Sequence, residues 1–133
     1  MLFRSAKLLF ATKQGMIKKV KGNEFQVAKR TIAATKLQED DELISVQVIA
    51  DDQHVVLQTK DGYFLRFSAQ EVAEKKKAAV GVRGIKLRKN DELEQIYLFY
   101  EGTEHKISYG DRELTLNRLK VAKRDGTGTK ARS

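Results

Sequence analysis

Three segments of this chain carry side chains suited to chemistry, and that chemistry is the binding of anions. VAKRTIAATKL, from residue 27, supplies Lys29, Arg30 and Lys36. EKKKAAVGVRGIKLRK, from residue 74, supplies Lys75, Lys76, Lys77, Arg83, Lys86, Arg88 and Lys89. VAKRDGTGTKAR, from residue 121, supplies Lys123, Arg124, Lys130 and Arg132. An arginine can fork two N–H groups onto one phosphate, and a lysine places a point charge beside it. Gly81, Gly84, Gly126 and Gly128 fall within these runs. Lacking a Cβ, they would let backbone N–H groups approach a phosphate closely. Taken singly, each run also reads as a solvated face, and AVGVRGIKL as a bulged strand whose glycines serve packing. The recurrence of three such runs favours a shared phosphate-binding rim.

Other reactive constellations are missing. His54 and His105 stand alone, with no second histidine at metal-ligand spacing. His54 opens a strand-like run and is expected at the surface. The acidic clusters at 39–42 and 51–52 lack the spacing and glycine of a calcium loop, so solvated turns are expected there. No serine or tyrosine has a base partner in view. There is no cysteine, which removes disulfides, thiolate catalysis and thiolate zinc sites. No metal and no cofactor is expected, and the chain by itself is not read as an enzyme.

The bulk properties agree with a folded, polyanion-binding module. The chain has 133 residues, 41% of them hydrophobic and 33% charged, with a net charge of +8. This length and balance suit one folded domain. The basic excess points to nucleic acid as partner. With 4 Tyr, 6 Phe and no Trp, the core should be mostly aliphatic. The aromatics lie in strand-like runs, where packing explains them better than base stacking. No apolar run approaches the ~20 residues of a membrane span, and MLFRSAKLLFA is too short and interrupted for a secretory signal. No membrane partner is expected.

An internal repeat must position the cations. LLFATKQG at 8–15 is echoed by VVLQTKDG at 55–62, and each leads into a second strand, MIKKV and YFLRF. Lys-Asp-Gly is strong hairpin chemistry because Gly62 tolerates positive φ. In YFLRF, Tyr63, Leu65 and Phe67 fall on one face, Phe64 and Arg66 on the other. KLQEDDELISVQVI at 36–49 matches KLRKNDELEQIYLF at 86–99. Thr12-Lys13 and Thr59-Lys60 lie 47 residues apart, Asp41 and Asp91 50 apart. Such periods predict an all-β fold of propeller-like, four-stranded blades, with a duplicated barrel as the alternative. One repeat spans about 7–50 and a second about 54–100. A third, about 104–133, opens with KISYGDRELTLNRL and closes without its own acidic turn. Ser68 to Glu71 forms a capping box before good helix formers. Its counterparts in the other repeats are short, so a single helical turn after the second strand of each repeat is expected.

With LLFATKQGMIKKV, VVLQTKDGYFLRFSAQEV and AAVGVRGIKLRKNDEL in place, the chain resembles the C-terminal domain of the A-type subunit of bacterial type II topoisomerases, that is, of DNA gyrase and topoisomerase IV. The resemblance covers nearly the whole chain, about two and a half repeats. It implies a β-pinwheel, whose propeller-like blades exchange a hairpin with a neighbour and bind or bend duplex DNA around a basic rim. It also implies a C-terminal piece of a larger protein. Its partners would be duplex DNA, the ATPase partner protein and the remainder of the A-type polypeptide, in the bacterial cytoplasm at the nucleoid. The gyrase A box, Gln-Arg-Arg-Gly-Gly-Lys-Gly, finds its nearest match at Lys123–Thr129, which keeps an Arg-x-Gly-x-Gly outline and departs elsewhere. The family's catalytic tyrosine belongs to another domain, and none of the four Tyr here inherits its role.

The expected function is therefore non-catalytic binding and bending of duplex DNA, presenting it for ATP-dependent strand passage and supercoiling control carried out elsewhere. The alternatives are a protein-interaction or self-assembly module that forms a homo-oligomer through exposed strand edges, and an RNA-binding β-domain.

Overall fold

A computed structural model of the chain describes residues 7–21, 41–72, 74 and 81–130. The strands are β1 (Lys7–Thr12), β2 (Met16–Lys21), β3 (Leu43–Ile49), β4 (Gln53–Thr59), β5 (Tyr63–Ser68), β6 (Val82–Arg83), β7 (Leu93–Tyr100), β8 (Lys106–Tyr109), β9 (Arg112–Thr115) and β10 (Thr129–Lys130). They form one sheet in the order β3-β1-β2-β6, a second in the order β10-β5-β4-β7, and the separate hairpin β8-β9. Every ladder pair within these sheets is antiparallel. The fold is all-β, and the two four-stranded sheets repeat one plan.

The repeated plan comes from repeated turn chemistry. Gly15 and Gly62 adopt φ of 87° and 92°, where a side chain would be strained. Each donates its N–H to a threonine carbonyl three residues back, Thr12 or Thr59, at 3.0 Å. The same threonines accept from Met16 and Tyr63 N–H through Oγ1, both at 3.1 Å. The acidic turns then lock onto these hairpins. Asp41 Oδ1 accepts from Gln14 N–H at 2.9 Å and Glu42 N–H at 2.8 Å. Asp91 Oδ1 accepts from Asp61 N–H at 3.0 Å and Glu92 N–H at 2.8 Å. These two aspartates are clasps, and Asp91 is only 8% exposed. The expectation of a solvated turn fails at Asp41, because an Asx-type side chain satisfies backbone donors that neighbouring strands have left open.

Strand alternation sorts the core. Leu9, Ala11 and Ile17 of the first sheet pack against Val55, Leu57, Leu65 and Phe67 of the second. The opposite face of the second sheet presents Val56, Phe64 and Phe99, joined by Leu116 and by Ile107, Tyr109 and Leu114 of the third hairpin. The second sheet thus lies between the first sheet and the third hairpin. The expected single helical turns occur at Ala69–Glu71 and Leu116–Arg118. Ser68 Oγ caps the former by accepting from Gln70 N–H at 3.2 Å. The counterpart near 21–25 falls outside the described residues.

A buried cation ties each sheet to the turn of the next repeat. Lys19 Nζ donates to the carbonyl of Ala69 at 3.1 Å and pairs with Asp51 Oδ1 at 2.9 Å. Arg66 occupies the same register position in the second sheet. Its Nη1 donates to the carbonyls of Asn117 at 2.8 Å and Leu119 at 3.0 Å, and its guanidinium carbon lies 5.1 Å from the centre of the Phe99 ring. Arg66 Nε donates to His54 Nδ1 at 3.0 Å. His54 is therefore interior, 8% exposed, with Nε2 3.3 Å from Glu101. The expectation that it sits at the surface is corrected: its strand neighbour is a buried arginine that needs an acceptor.

Arg66→Ala is expected to destabilise the chain by about 3 kcal/mol, because several charge-assisted bonds vanish and His54 and two carbonyls lose their donor. Urea unfolding would measure this, with Arg66→Lys losing less. Hydrogen bonding from Lys19, then from Lys7, holds the Asp51 carboxyl below its ordinary value of 3.8. A carboxyl depressed in the folded state contributes stability above its unfolded value and loses it as pH falls through the folded one. Asp51→Asn should therefore be less stable than the parent near neutral pH and converge with it below pH ~3.8 in urea midpoints.

Candidate nucleic-acid interface

Each sheet is completed by two residues of the following repeat, and those residues carry the cations. On β2, Ile17 pairs with Val82 and Met16 with Arg83. On β5, Phe64 pairs with Thr129 and Tyr63 with Lys130. The incoming strand must lie close to its partner, and a glycine precedes it in both cases. A Cβ on Gly81 would collide with the Ile17 carbonyl. Gly128 has φ of 77°, and its Cβ would lie 3.0 Å from the Phe64 carbonyl oxygen. Gly84 is closed in by Ile17 and Leu57 side chains, and its N–H already donates to the Gly15 carbonyl at 2.7 Å. Gly126 faces Leu65. Close packing accounts for Gly81, Gly84 and Gly128.

The pairing carries the 47-residue interval of the Thr-Lys turns into the basic segments. Arg83 and Lys130 are equivalent and 47 residues apart. The same interval relates Lys76 to Lys123 and Lys77 to Arg124. Carried back once more, it reaches Lys29, Arg30 and Lys36. These three, with Lys75, Lys76 and Lys77, lie outside the described residues.

The structure brings Arg83, Lys86, Arg88, Lys123, Arg124 and Lys130 into one contiguous group. The segment 83–88 runs beside 124–130. Asp125 N–H donates to the Gly84 carbonyl at 2.7 Å, and Lys86 N–H to the Gly126 carbonyl at 2.8 Å. Arg124 is a fastener: Nη1 donates to the Arg83 carbonyl at 2.6 Å and Nε to the Glu71 carbonyl at 3.2 Å, while its N–H donates to the Glu71 carboxylate at 2.8 Å. Glu71 thus turns away from the capping-box partner its sequence position suggests. Arg88 donates to the Thr127 carbonyl at 2.7 Å and lies 3.5 Å from the centre of the Tyr63 ring, which Lys130 also approaches at 5.7 Å. Lys86 and Lys123 extend from an exposed surface, and neither side chain makes a hydrogen bond or ion pair among the described residues.

One acid interrupts the group. Arg83 pairs through Nε and Nη2 with the two oxygens of Asp125, the second at 3.0 Å. This bonding holds the Asp125 carboxyl below its ordinary value, with the charges of Arg83, Lys86 and Arg124 adding to it. Motif spacing missed Asp125 and Arg66. The 47-residue register was the available signal, since it aligns Arg66 with Lys19 and sets Asp125 opposite Ala78.

Two four-stranded blades, each closed by a strand from the next repeat and edged with cations, define a β-pinwheel. The family described as the DNA gyrase C-terminal domain, a β-propeller, matches residues 6–50 and 53–99, and the chain belongs to this family. The DNA gyrase A protein of Lawsonia intracellularis is 34% identical over 128 residues, covering 90% of this chain and 16% of that protein. The gyrase A protein of Deinococcus deserti is 39% identical over 85 residues, covering 63% of this chain and 10% of its own. The chain therefore spans a small part of these relatives. Among solved structures, a C-terminal domain of DNA topoisomerase IV superposes with a TM-score of 0.81 at 23% identity, covering 95% of this chain and 41% of that one. A DNA gyrase A C-terminal domain superposes at 0.80 and 23% identity, covering 97% and 44%.

Gly81→Ala is expected to destabilise by about 1–3 kcal/mol, because the obstacle is main chain and cannot rotate away. A denaturant midpoint close to that of the parent would contradict the strand placement.

Proposed function

We propose that this chain is a non-catalytic duplex-DNA-binding and bending module of the A-type polypeptide of a type II DNA topoisomerase. The supporting observation is the contiguous cation group spanning 83–88 and 123–130, built by a strand exchange that repeats at a 47-residue interval. Under this reading the cations neutralise phosphates, Lys29, Arg30, Lys36 and Lys75 to Lys77 continue the rim, and little sequence is read. Bent duplex lies along this edge, as in other binders that rely on backbone contacts and deformability. The module spans one pinwheel fragment, divided at about 7–50, 54–100 and 104–133 by the repeat. Its partners are DNA, the ATPase protein that drives strand passage, and the rest of the A-type polypeptide, at the bacterial nucleoid.

A second reading has one observation behind it. The β8-β9 hairpin pairs with no further strand among the described residues. Open edges of this kind invite pairing with another chain. Sedimentation alongside DNA titration separates the two readings.

Duplex binding should weaken with salt, log K falling by about 0.9 per phosphate contact against log salt concentration. Lys86→Ala with Lys123→Ala should flatten that slope by about two contacts while leaving the unfolding midpoint unchanged. A slope near zero for the parent, or an unchanged slope in the double variant, would refute the assignment.

A further inference from the structure

Asp125 sits where a phosphate would be most welcome. Its two oxygens meet Nε and Nη2 of Arg83 in the forked arrangement that arginine offers to phosphate. The charges of Lys86 and Arg124 act on the same carboxylate. The repeat does not carry an acid there. Asp125 stands 47 residues after Ala78, which stands 47 after Thr31, and neither is acidic. The Asp125 main chain is held by its own N–H on the Gly84 carbonyl, at φ of 69°, whatever the carboxylate does. Both partners are solvent-accessible, Arg83 at 51% and Asp125 at 32% of their side chains, so the pair is weakly held and open to exchange.

We propose that Asp125 is an internal phosphate mimic that occupies Arg83 in the free protein and yields it to a DNA phosphodiester on binding. This rests on the DNA-binding reading above. The exchange is of one anion for another, so it tempers affinity without abolishing it. It also means that net ion release on binding is smaller than with a free arginine, since the carboxylate set free takes up cations of its own.

The test uses the full chain and a fluorescent duplex, with affinity measured across a salt series for the parent, Asp125→Asn, Arg83→Gln and the double variant. Asparagine is chosen because it tolerates the left-handed backbone. Asp125→Gly is the second choice should Asp125→Asn lower the unfolding midpoint. Asp125→Asn should bind about three- to tenfold tighter at low salt and steepen the salt slope by up to about 0.9. In the Arg83→Gln background the same change should gain markedly less. If the parent binds with a clear salt slope and Asp125→Asn matches it or binds more weakly, the mimic is wrong and the DNA reading stands. An equal gain with or without Arg83 also overturns it, since that is bulk charge alone. If no variant binds duplex, both readings fall.

Discussion

Each blade of this chain is finished by a neighbour. Two residues of the following repeat complete the sheet, and a buried cation of the sheet reaches back into the carbonyls of that repeat's helical turn. Lys19 does this toward Ala69, and Arg66 toward Asn117 and Leu119. Further backbone bonds cross between repeats, from Leu93 N–H to the Lys13 carbonyl and from Ala122 N–H to the Arg66 carbonyl. Burying a cation is costly unless its donors are satisfied. Here the acceptors are carbonyls of a short turn: Asn117 and Leu119 take Arg66, and Ala69 takes Lys19 beside the Val72 N–H of its own turn. The two needs meet each other, and neither repeat meets them alone.

The placement of the basic segments follows from this exchange. The described cations lie on and just after β6, at 83–88, and on the run into β10, at 123–130, and backbone bonds hold these two segments side by side. Arg124 and Arg88 direct donors into main-chain carbonyls and so fasten the two segments together, whereas Lys86 and Lys123 remain in solvent. The division of labour fits the side chains, since arginine's planar fork suits fixed acceptors and lysine's point charge suits a mobile counterion or a phosphate. The exposed ion pairs in the group are individually weak, so the segment is held mainly by backbone bonds and packed glycines.

Much of this is legible in the sequence because it repeats. Two hairpins sharing a Thr-Lys turn and a glycine, two acidic turns ending in Asp-Glu-Leu, and alternating apolar residues are local signals. The structure returns them as β1-β2, β4-β5 and the Asp41 and Asp91 clasps. The Asp41 clasp reads as a solvated turn in sequence because an aspartate that caps a distant hairpin looks the same as one that faces water. His54 is misplaced for a related reason: its burial depends on Arg66, twelve residues away across a ladder. Spacing alone does not reveal that the Ile17 main chain lies against Gly81 and the Phe64 main chain against Gly128. Strand exchange is non-local, and only the pairing register exposes it.

Strand exchange requires residues 122–130 to be part of the folded blades and not an appended basic tail. Native-state hydrogen exchange on the intact chain addresses this most directly. The amides of Lys86, Ala122 and Asp125 each donate to another segment's carbonyl in the structure. They should exchange slowly, in the same class as the β4-β5 ladder amides, because all depend on the same inter-repeat contacts. Exchange of the Ala122 and Asp125 amides at the rate of an unstructured peptide, with the β4-β5 ladder still protected, would contradict it.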